Sequence, residues 1–60
     1  MKEKKQMLYQ CIESIEQLGA DARFENNRDN YKILKVKLES INWWVVKAQR
    51  LVDKLDKEVK

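Results

Sequence analysis

The sequence predicts an all-α protein in which a short first helix and a long second helix form a hairpin. Apolar residues from Tyr31 to Val59 recur at alternating intervals of three and four, which is the period of an amphipathic helix. The chain has no proline, and 38% of its residues are charged, which suits solvated helices better than a sheet. We expect one helical domain over residues 1–60.

The small size of the chain predicts association. A 60-residue domain hides only about 60% of the surface that its unfolded chain exposes, so it usually needs disulfides, a metal or oligomerisation. The single cysteine, Cys11, cannot close an internal disulfide, and without histidine a Cys/His zinc site within one chain is excluded. We therefore expect no metal or cofactor. The hairpin should complete a four-helix-type bundle or coiled coil by dimerisation or partner binding, with a homodimer favoured.

The first helix is predicted over about residues 2–18. Four apolar residues in and next to this segment lie seven apart, namely Met1, Leu8, Ile15 and Ala22. Gly19 is the only glycine and suits the left-handed position that ends a helix. Asp21 is suited to cap the turn that follows.

The turn is expected somewhere in residues 19–30. The break at Gly19–Asp21 is preferred. The alternative is the stretch 25–30, where asparagine and aspartate compete for backbone hydrogen bonds and favour turns and caps. A bend is needed in either case, because the apolar stripes of the two segments are out of register.

The second helix is predicted over about residues 31–58. In heptad notation, Tyr31 opens the a positions and Leu34 the d positions, and Trp44 and Leu51 at g widen the apolar arc. The predicted oligomer seam consists of Leu34, Leu38, Ile41, Val45, Ala48, Val52 and Leu55.

The outer face of the second helix carries further apolar residues, which suggests a second contact surface. The expected partner-binding residues are Ile33, Val36, Trp43, Trp44 and Val46. Tryptophan dominates the energetic hot spots of protein interfaces, which favours a protein partner. In the alternative reading, the first helix packs into this face and leaves nothing exposed.

A basic stripe follows on the same helix and consists of Lys47, Arg50, Lys54 and Lys57. Residues 31–60 hold eight basic and four acidic side chains, against five and six in residues 1–30. Such a stripe can follow a phosphate backbone. Asp53 pairs naturally with Lys57 at i,i+4, however, so a solvated face explains the stripe as well.

The sequence lacks the side chains that usually perform acid–base or nucleophilic catalysis, because histidine is absent and neither serine has an obvious activating partner. The longest apolar run is four residues, Trp43 to Val46, far short of the roughly 20 that span a bilayer. We expect a cytoplasmic protein that is not an enzyme and has no membrane partner. The preference for lysine over arginine suggests a small bacterial or phage protein.

The sequence thus predicts a small non-catalytic regulator that binds and modulates another protein through its long helix. A dimeric nucleic-acid-binding protein that uses the basic stripe is the alternative.

Overall fold

Two antiparallel helices form the structure. In a computed structural model of the chain, residues 2–59 are described, with side chains described for residues 3–58. Helix α1 spans Lys2–Asn27 and helix α2 spans Tyr31–Val59. The all-α hairpin predicted from the sequence is confirmed over these residues. The predicted apolar positions Met1 and Val59 lie outside the described side chains.

The first helix differs from its predicted length, because it continues through Gly19 and ends at Asn27. The two helices are therefore similar in length, at 26 and 29 residues. Gly19 has no positive φ, so it is an ordinary helical residue that costs about 1 kcal/mol relative to alanine. The extra turns contain Ala22, an apolar residue that is buried, and its burial helps to offset that cost.

The chain reverses over Arg28–Asn30, in the asparagine-rich stretch and not at Gly19–Asp21. Asp29 takes the left-handed conformation that closes α1, with φ of 56°. The Asn30 N–H donates to the Glu25 carbonyl at 2.9 Å, and the Asp29 N–H donates to the Asn26 carbonyl at 3.1 Å. These two bonds form a Schellman motif, in which aspartate stands where glycine is usual.

Asn30 is also the N-cap of α2. Its carbonyl accepts the first hydrogen bond of that helix, from the Leu34 N–H at 3.0 Å. The Tyr31 hydroxyl donates to Asp29 Oδ1 at 3.0 Å, which links the turn to the first residue of α2. The reversal is therefore only three residues long and is held by local hydrogen bonds.

The contact between the helices follows one heptad stripe on each. The α1 stripe contains Leu8, Cys11, Ile15, Leu18, Ala22 and Glu25. The α2 stripe contains Leu34, Ile41, Trp44, Ala48, Leu51 and Leu55, which are the predicted d positions together with two g positions. Among the described side chains, the buried apolar ones are Cys11, Ala22 and Leu51, and of these Cys11 is fully buried. One hairpin therefore has a very small core.

Ion pairs join the helices at both ends of the hairpin. Near the turn, Lys37 Nζ lies 3.8 Å from Asp21 Oδ2. At the open end, the Lys4 ammonium donates a hydrogen bond to the Glu58 carboxylate. This bond and the attraction of the Lys4 charge lower the pKa of Glu58 below its ordinary value.

Candidate interaction surfaces

An apolar groove runs between α1 and α2 on one side of the hairpin. Its apolar walls are Leu8, Ile12 and Ile15 from α1 and Val45, Ala48 and Val52 from α2. Gln49 and Asp53 complete its α2 edge. Ile12 and Val52 remain 46% and 47% exposed although they point towards the groove. A single hairpin therefore leaves a continuous apolar surface in water.

The predicted oligomer seam divides between this groove and the inside of the hairpin. The d positions Leu34, Ile41, Ala48 and Leu55 are half-buried on the side of α2 that faces α1. The a positions behave differently: Leu38 and Val52 are exposed, and Val45 is half-buried in a wall of the groove. The a positions are therefore available for a second contact.

The α1 wall of the groove was not among the predicted site residues. Leu8, Ile12 and Ile15 belong to the apolar stripe of the first segment, so their apolar character was visible in the sequence. Their place beside Val45 and Val52 follows from the position of the turn, which sets the register of the two helices. That register could not be read from the spacing alone.

A second apolar surface, the Trp43 surface, lies on the other side of α2. It consists of Ile33, Val36, Trp43 and Val46, all of them exposed. Trp43 is 57% exposed and Val36 is 56% exposed. Val45 follows Trp43 by two positions, a step that rotates the side-chain direction around the helix by about 200°. The groove and the Trp43 surface therefore face different directions.

Trp44 occupies a different environment from Trp43. It is half-buried beside Leu18 and Ser14 of α1, and its ring meets Trp43 edge to face with centroids 4.8 Å apart. Lys47 Nζ lies 5.1 Å from the Trp43 ring centroid and 5.3 Å from that of Trp44. These contacts hold the two indoles and the ammonium in one cluster.

The four residues of the predicted basic stripe do not share one environment. Lys47 is half-buried with its ammonium over the two indoles, whereas Arg50, Lys54 and Lys57 are exposed along the helix. Lys47 and Arg50 line a shallow depression together with Trp43 and Val46, which are part of the Trp43 surface. The Trp43 surface therefore has a basic edge.

Glu25 is a buried acid near the turn. Its Oε1 atom has no hydrogen-bond partner, and the closest cation is Arg28, whose Nη1 lies 3.9 Å away. The Arg28 guanidinium also lies 5.3 Å from the Phe24 ring centroid. Arg28 is exposed, so this group of side chains secures the end of α1 and forms no enclosed site.

The described residues contain neither a membrane-spanning helix nor a cluster of metal ligands. Neither helix contains a stretch long and apolar enough to cross a bilayer. No three acidic or cysteine side chains gather there as ligands for a metal ion. Comparison of the chain with protein-family models, curated proteins and solved structures gives no match.

Proposed function

We propose that this chain is a small, non-catalytic cytoplasmic regulator that binds another protein through the Trp43 surface of α2. The hairpin joins a larger helical bundle, by self-association or with a partner, and holds its target in one functional state. The exposure of Trp43 carries the proposal: its large indole is more than half exposed on the same surface as Val36 and Val46.

The chemistry of the Trp43 surface supports a protein partner. Burying a tryptophan in a well-packed interface contributes strongly to affinity, and tryptophan and arginine are the residues most enriched at hot spots. Trp43 is held by its contacts with Trp44 and Lys47, so binding would order few additional side chains. The basic edge formed by Lys47 and Arg50 favours a target that carries acidic residues around an apolar centre.

The nucleic-acid alternative is less well supported. Exposed Arg50, Lys54 and Lys57 could contact phosphates, but the Lys47 ammonium already lies over two indole rings. The two functions differ in their response to salt. Binding that neutralises several phosphates weakens steeply as ionic strength rises, whereas an apolar protein contact responds little.

The decisive experiment compares Trp43→Ala with the matched control Tyr9→Ala in quantitative affinity capture from a nuclease-treated lysate. Tyr9 is an exposed aromatic residue on α1, outside the Trp43 surface. We expect Trp43→Ala to weaken target binding roughly 30-fold, the effect of a hot spot worth about 2 kcal/mol, while Tyr9→Ala binds normally.

Stability provides the second readout. Trp43→Ala should lower the free energy of unfolding by about 1–2.5 kcal/mol, because it removes one edge-to-face contact and one cation–π contact. Equal binding by both variants, or capture that nuclease or added salt abolishes, would refute the Trp43 surface as a protein-binding site.

A further inference from the structure

We infer that the apolar groove is the surface on which a second copy of this chain docks, forming a homodimer of two hairpins. The proposed function leaves open which surface completes the bundle and what covers it. Docking of a second copy on the groove does not depend on what the Trp43 surface binds.

The amount of exposed surface supports a second copy. The accessible surface of the chain is 5203 Å², whereas a folded monomer of 7.3 kDa exposes about 4,200 Å². The excess of about 1,000 Å² is close to the roughly 800 Å² that each partner buries in a stable protein–protein interface. One hairpin therefore exposes about one interface more than a chain of its mass normally does.

The shape of the hairpin indicates where that interface lies. The described residues form only two helices, packed side by side over a length of 46 Å, so one hairpin supplies a single layer of helices. Stable domains contain at least two packed layers around a core. The groove is apolar on both walls, and a second hairpin has the length needed to cover it from end to end.

The charges along the groove edges suit a second copy better than a highly charged partner. On the α1 side, Lys5 and Glu16 flank the groove, placed there by their helical spacing from Ile12. On the α2 side, Asp53 lines its edge. Both signs are present around the groove, so no large field of one sign opposes a copy that carries the same pattern.

The test compares two substitutions of the same residue type on the same helix. Val52 lies in the groove and is 47% exposed, whereas Val36 lies on the Trp43 surface and is 56% exposed. Both positions are beyond the first and last turns of α2, where the helix dipole has little effect. The neighbouring charges differ, because Asp56 follows Val52 by one turn whereas Lys32 precedes Val36 by one turn. Val52→Asn and Val36→Asn, which add a polar group without a charge, are therefore compared alongside the two aspartate variants.

Analytical ultracentrifugation and thermal melting over a concentration series give the readouts. We expect the wild-type chain and Val36→Asp to sediment as dimers, with melting temperatures that rise with concentration. Val52→Asp should weaken dimerisation at least 100-fold, whether it gives a folded monomer or an unfolded chain. Val52→Ile, which adds one methylene to the groove, should remain dimeric and show that position 52 tolerates an apolar change.

Two results would overturn the inference. A wild-type chain that is a cooperatively melting monomer at 100-micromolar concentration would show that no second copy covers the groove. Equal dissociation of Val36→Asp and Val52→Asp would show that the copies meet elsewhere. Binding of the Trp43 target is scored separately with Trp43→Ala, so either proposal can fail without the other.

Discussion

At the scale of single residues, Asp29 decides how the chain reverses. Its left-handed conformation allows the Asn30 N–H to reach the Glu25 carbonyl and close the end of α1. A residue with a Cβ is strained there, although aspartate and asparagine adopt this conformation more readily than other residues. Its carboxylate also accepts the Tyr31 hydroxyl hydrogen bond.

The stability of Asp29 variants should therefore depend on how readily the new residue adopts the left-handed conformation, and not on its charge. Asp29→Ala should lower the free energy of unfolding by about 1 kcal/mol or more, because alanine is strained at positive φ and loses the bond from Tyr31. Asp29→Asn keeps an acceptor oxygen and should be nearly neutral. Urea denaturation measures both variants. An alanine variant as stable as the wild type would contradict the Schellman geometry.

At the scale of elements, α1 shows how a helix passes through a residue that usually ends one. A Cβ built on Gly19 meets no other atom within 4 Å, and the residue is exposed. The helix continues because Ala22 extends the buried apolar stripe beyond the glycine. Tertiary packing thus outweighs the low helix propensity of one residue.

Gly19→Ala distinguishes a helical glycine from a helix-ending one. In the middle of an exposed helix, alanine should raise the free energy of unfolding by about 0.5–1 kcal/mol. At a left-handed end it would instead destabilise the protein by a similar amount. Thermal and urea denaturation give the sign, and a destabilised variant would mean that α1 breaks at Gly19.

The helices were predictable because their periodicity is strong, but the reversal was not located uniquely. Gly19 and the stretch 25–30 are both typical turn signals, and residue type alone does not decide between them. Ala22 was the useful signal, because it continues the stripe of Leu8 and Ile15 across Gly19. The division of the predicted seam between the hairpin interior and the groove depends on register, which only the folded hairpin defines.

At the scale of the whole molecule, the Lys4–Glu58 pair joins the two chain ends. The folded state lowers the pKa of Glu58 and so favours its charged form. Any stability that the pair adds is therefore present above the ordinary glutamate pKa of 4.5 and is lost as the pH falls through the lowered value.

Glu58→Gln should consequently be less stable than the wild type near pH 7 and equal to it in strong acid. The control is Glu39→Gln, which removes an exposed carboxylate from the same helix and should show no such convergence. Thermal melting between pH 2 and pH 7 follows the difference, which should be small and should shrink as salt is added because both partners are partly exposed. A Glu58→Gln deficit that does not change with pH would exclude the ion pair as its cause.

The groove and the Trp43 surface face different directions on α2, and this arrangement affects how strongly the protein can hold a target. Two hairpins joined at their grooves would carry two outward-facing Trp43 anchors. A target with two matching sites would then be bound at both of them, and the second binding event would occur at a high effective concentration. Such bivalent binding gives avidity far above that of one site, so a regulator with weak individual contacts could still act on a dimeric or repetitive target.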